Sequence, residues 1–175
     1  ARRHYDVALE RTRERLAAEE LLREVAAVAM EQRDFDAARV FFDRLGQGSG
    51  SSVYLRGEYA RALAAAGEWE LAVAEYQRMI RSLRGDNRVL PPILLELSRA
   101  QLELGEVDGS IETLDRALGS AGHQAGIRAE IYEQMRTAYR QTDRLPELAE
   151  RLRRETGGGF EASSLLGTIE DELGN

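Results

Sequence analysis

The chain has 175 residues, of which 43% are hydrophobic and 31% charged, so it holds apolar material for one folded domain or a short repeat array. It has no Cys, and His4 and His123 stand far apart, which leaves no disulfide framework, thiolate nucleophile or His/Cys metal cluster. A net charge of −7 argues against nucleic-acid and anionic-membrane partners, and no apolar run approaches the ~20 residues of a membrane span.

Taken in chain order, the first expected element is an N-terminal helix over 1–18, carried by Tyr5, Ala8, Leu9, Thr12 and Leu16. No Gly or Pro separates this stripe from Leu21, so the helix is free to run on into the segment that begins at residue 19. From residue 19 onward four segments read alike: Arg33-Asp34-Phe35-Asp36-Ala37-Ala38, Gly67-Glu68-Trp69-Glu70-Leu71-Ala72, Gly105-Glu106-Val107-Asp108-Gly109-Ser110 and Asp143-Arg144-Leu145-Pro146-Glu147-Leu148. Their last residues are 34, 38 and 38 positions apart. Four residues beyond each comes a large apolar side chain: Phe42, Tyr76, Leu114 and Leu152. Upstream lies a second stripe, Val25, Tyr59, Leu97 and Met135, with Ala29, Leu63, Gln101 and Tyr139 four positions later. Such spacings place these residues on one face of a 3.6-residue helix. Each unit is therefore two amphipathic helices joined by a tight turn, with Asp34, Gly67, Gly105 and Asp143 as the turn residues.

The hairpins are expected over 19–50, 51–84, 89–120 and 123–156, and Pro91-Pro92 opens the third. Gly- and Ser-rich stretches at 46–52 and 119–122, with Gly126, and the inserted Gly85-Asp86-Asn87-Arg88 at 85–88 read as connectors. Gly157-Gly158-Gly159 ends the last hairpin, and 160–175 is expected to be a capping helix or a truncated repeat, its stripe Leu166, Ile169 and Leu173 flanked by Leu165.

These units resemble tetratricopeptide repeats, most clearly in Tyr59-Ala60, the Gly67-Glu68-Trp69 turn, Ala72 and Tyr76. The small residue of the first helix is kept as Ala26, Ala60 and Ser98 and replaced by Arg136 in the fourth unit, a degenerate copy. The resemblance implies an all-α fold, a right-handed α-solenoid of about four hairpins with extra terminal helices. It further implies a concave face lined by first-helix residues, here Arg23, Ala27, Tyr54, Arg61, Leu95, Arg99, Leu102, Thr137 and Arg140. Arg61 and Arg99 share a column, where two guanidinium forks suit carboxylates of a partner segment. The family's chaperone-tail clamp needs Lys and Asn; this chain has no Lys and carries Ala27 and Gly57 at relevant places, which argues against that specialisation.

No nucleophile, base or metal set shows catalytic spacing, so the expected role is non-catalytic, without cofactor or metal. Carboxylates sit three or four residues from Arg, as in Glu58 with Arg61, Glu96 with Arg99 and Glu147 with Arg151, the spacing of helix-supporting pairs. The expected function is a scaffold that holds a protein or peptide, acidic by preference, in the groove. The alternative is a self-associating module, a homo-oligomer built through the terminal helices. The start at Ala1, without Met or an apolar signal stretch, is read as a fragment or processed product, soluble and placed in the cytoplasm ahead of the periplasm.

Overall fold

Four turns of one geometry organise the chain. In the computed structural model the backbone is described over residues 2–48, 52–83, 88–154 and 159–174, and the side chains of all these except 2–13, 15, 46–48, 52 and 53. Every regular element among the described residues is an α-helix: α1 (Arg2–Glu31), α2 (Phe35–Gly48), α3 (Ser52–Ala65), α4 (Trp69–Ser82), α5 (Leu90–Glu103), α6 (Val107–Ala121), α7 (Ala125–Gln141), α8 (Leu145–Arg154) and α9 (Gly159–Leu173). The all-α class expected from the period is what the chain adopts.

At the turns, Arg33, Gly67, Gly105 and Asp143 take φ values of 58°, 78°, 77° and 56°. The next amide in each case reaches back five residues: Asp34 N donates to Ala29 O, Glu68 N to Leu63 O, Glu106 N to Gln101 O and Arg144 N to Tyr139 O, all at 2.8–2.9 Å. With a second bond from the left-handed residue itself, this is a Schellman ending, which satisfies carbonyls that the helix leaves open. One expectation shifts by a residue. The left-handed position of the first turn is Arg33, whereas Asp34 caps α2 by accepting from Ala37 N at 3.0 Å. An aspartate before a helix finds its best acceptor role there, because the first-turn amides have no helical partner.

The chain divides into two compact units, 1–71 and 72–175. In the first, α1 runs unbroken from Arg2 to Glu31, packs on α2, and α2 packs on α3. Ala26 and Ala38 are fully buried, small enough for close approach of the helices that carry them. Phe42 and Tyr59 place their ring centroids 5.2 Å apart between α2 and α3, and the Tyr59 hydroxyl donates to Phe35 O at 2.8 Å. Phe42 remains half-buried, unlike Tyr76 and Leu114 of the same column. The stripe at Tyr5, Ala8, Leu9 and Thr12 lies outside the described side chains.

In the second unit one core joins α5 to α9, with Leu94, Leu114, Ile131, Tyr132, Met135, Leu148 and Ile169 at 0–2% exposure. The prolines of 91–92 occupy the first positions of α5, where a missing amide hydrogen costs nothing. Ser98 and Ser110 are fully buried, and the Ser110 hydroxyl donates to Ser98 O at 3.0 Å, which ties α6 to α5 at their closest-packed column. The fourth copy has Arg136 and Leu148 at these two positions. Leu148 stays buried, while the Arg136 guanidinium turns outward to Glu133 at 2.8 Å and also to Glu172 of α9.

Helix α9 packs on α7 and α8, as α7 packs on α5 and α6. Its buried stripe is Ala162, Leu165 and Ile169, so the expected stripe is rotated: Leu166 is part-buried and Leu173 is 37% exposed. The helix meets two neighbours and therefore buries the face between them. Two connectors also change character. Gly119 to Ala121 continue α6, Gly126 lies within α7, and the break falls at Gly122, whose φ is 54°. Of the expected connector 46–52, residues 46–48 belong to α2 and Ser52 opens α3, while 49–51, residues 85–87 of the connector 85–88, and the glycines at 157 and 158 lie outside the described residues.

Candidate functional site

The nine expected groove residues separate by burial. Leu95 is 2% and Leu102 is 7% exposed, and both belong to the second unit's core. This corrects their assignment to an open binding face. They stand on α5 within a core shared with α6 and α7, and a leucine offered both neighbouring helices and water takes the helices. In the second unit the face is left with Arg99, Thr137 and Arg140; in the first, Arg23, Ala27, Tyr54 and Arg61 are exposed, Tyr54 at 65%.

Arg99 and Thr137 come together. With Ala129, Glu130, Glu133 and Gln134 they line a shallow cavity of about 330 Å³ between α5 and α7. The Arg99 guanidinium lies 3.3 Å from Glu96 on its own helix and 3.9 Å from Glu130 on α7. Thr137 donates its hydroxyl to Glu133 O at 3.1 Å. Arg140 is exposed in the last turn of α7, where a cation meets the negative end of the helix dipole.

In the first unit, Arg23 bonds Glu58 at 2.7 Å. Glu58 therefore serves a partner 35 positions away in the chain, and Arg61 has no ion pair among the described residues. The expected Glu147–Arg151 pair is likewise replaced. Arg144 holds Glu147 at 2.7 Å, and Arg151 reaches Asp115 across 36 positions. Of the three expected local pairs, Glu96–Arg99 forms.

Several long-range pairs span 35 or 36 positions, near the spacing of the turns, while Arg153 and Glu170 pair across 17. Arg33 meets Glu68, Arg144 meets Asp108 at 2.7 Å, and Arg136 meets Glu172. Residues one repeat apart face each other on successive hairpins, and the long Arg side chain spans the gap as a fork. Hydrogen bonds to Glu147, then to Asp108, hold the Arg144 guanidinium above its ordinary pKa, and Arg144 in turn holds the Glu147 carboxyl below its ordinary value. Sequence reading did not find this ladder, although the 35–36-residue recurrence of opposite charges was its signal.

His123 is exposed in the turn between α6 and α7, and His4 lies outside the described side chains. Among the described residues no three His, Asp or Glu side chains are grouped to hold a metal, and no helix is long and apolar enough to cross a membrane. The chain matches no protein-family model and no curated protein sequence.

Proposed function

We propose that this chain is a tetratricopeptide-like right-handed α-solenoid of about four hairpins over 19–50, 51–84, 89–120 and 123–156, and that it acts as a non-catalytic scaffold holding a protein segment. The observation that carries this reading is the four Schellman turns at spacings of 34, 38 and 38 residues. A hairpin repeated with one turn geometry presents its first helices in series, and such a series forms an extended binding surface in helical repeats. Arg99 is the proposed anchor of the second unit, with Thr137 in the same cavity, and Arg61 and Tyr54 are the exposed candidates of the first. Glu96 and Glu130 already flank Arg99, so the partner segment is one of mixed charge, offering carboxylates to the arginines and donors to the glutamates.

The test is affinity for candidate partners of the full chain and of the variant Arg61→Glu/Arg99→Glu. Loss of tenfold or more, about 1.4 kcal/mol, is the expected result. Undiminished binding removes the groove assignment.

A second reading, self-association, is favoured by apolar residues left in water. Leu21 and Val28, seven apart and hence on one face of α1, are 60% and 48% exposed, and Phe160 at the start of α9 is 84% exposed. Light scattering across a concentration range separates the two readings, since a chain that stays monomeric when concentrated is not an assembly module.

A further inference from the structure

Gln101 breaks a column that is otherwise apolar. At the corresponding places of the other first helices stand Ala29, Leu63 and Tyr139, whereas α5 buries a primary amide that is 8% exposed. Thr113 of α6 donates its hydroxyl to the amide oxygen Oε1 at 2.7 Å, which fixes the amide and leaves Nε2 as a donor open to the cavity that Gln101 lines. Facing it is a second exception: Gly109 stands where the other hairpins carry Ala37, Leu71 and Glu147. A Cβ at Gly109 would lie 3.0 Å from Nε2.

Both residues line one cavity of about 340 Å³ among α4, α5 and α6, on helix faces distinct from the Arg99 site. That volume lies at the lower end of the range for small-ligand sites. Arg81 of α4 and Arg116 of α6 also line it, and neither forms an ion pair among the described residues. Elsewhere in this unit Arg78, Arg99, Arg136, Arg144, Arg151 and Arg153 meet carboxylates, whereas Arg88 and Arg140, like Arg81 and Arg116, form no ion pair among the described residues. Glu112 shares the wall, so one positive charge remains in excess, which matches a monoanion better than a phosphate dianion. Ile80 and Leu97 supply apolar wall.

We infer that this cavity binds a small monocarboxylate carried on an apolar stem, with Arg81, Arg116 and the Gln101 Nε2 holding the carboxylate and Ile80 and Leu97 lining the stem. Guanidinium and amide donors are planar and suit the two oxygens of one carboxylate. The stem removes apolar surface from water and adds affinity in proportion to the area covered.

The experiment titrates the full chain with hexanoate and follows the Gln101 side-chain amide and Leu97 methyl resonances. Saturable shifts are expected, with acetate and hexanamide each binding more weakly. Arg81→Gln/Arg116→Gln should weaken hexanoate about tenfold or more, the scale of charge-assisted hydrogen bonds. Gln101→Leu restores the column's apolar residue, so it should keep the fold, read by its thermal midpoint, and still lose hexanoate. The inference is overturned by the absence of saturable shifts, by hexanamide binding as tightly as hexanoate, by undiminished binding in the arginine double variant, or by an acidic peptide occupying the cavity in place of hexanoate.

Discussion

A left-handed residue at each hairpin turn is the smallest unit on which this structure depends. Gly67 and Gly105 adopt it without a side-chain clash, whereas Arg33 and Asp143 hold it against the steric cost that a Cβ imposes. Asp143→Gly should therefore raise stability, by at most about 1 kcal/mol because glycine also loosens the unfolded chain. The reverse change, Gly105→Ala, should lower it by about 1–2 kcal/mol, all of it backbone strain, since a methyl there meets nothing within 4 Å. Chemical denaturation of both variants checks the pair, and equal effects of one sign would contradict the turn assignment. Glu147 gives a pH signature of its own. Its pKa is depressed from the ordinary 4.5 by Arg144, so its contribution is present above that value and lost as pH falls through the lower folded pKa. The thermal midpoint of Glu147→Gln should consequently fall less on acidification than that of the parent chain.

Between helices, burial and charge have separate roles. The column Tyr76, Leu114 and Leu152 is buried, and Leu114 at 0% exposure sits inside the second unit's core. Leu114→Ala should cost about 2–5 kcal/mol, according to how far the neighbours relax into the space. Phe42→Ala should cost less than that column's buried members suggest, because its ring keeps contact with solvent. The repeat-spaced ion pairs are exposed, so each contributes little and weakens with salt. Asp115→Asn should then shift the denaturation midpoint only slightly, and less in high salt than in low. Such pairs join residues of different helices. Arg136 makes the point for the fourth hairpin: where a small buried residue stands in the other copies, it reaches outward to α9 instead.

At the scale of the whole molecule, helix contacts within each unit join elements adjacent or next-adjacent in chain order. Such local contact patterns close short loops before they gain burial, so refolding in stopped-flow is expected in milliseconds or faster. A dominant phase of seconds would contradict that. The helical class and the neighbourhoods of the four turns were legible in the sequence, because helix periodicity and left-handed turn residues are fixed by neighbours a few positions away. Gln101 was visible too, as a polar member of an apolar column, but its meaning was not. Whether Leu95 and Leu102 face water, and whether Glu58 serves Arg61 or Arg23, depends on other helices of the fold. The same holds for the face that α9 buries. Periodicity tells which residues share a side of a helix; the packed neighbours tell what that side meets, because burial and ion pairing are set by distance in space and not by distance along the chain.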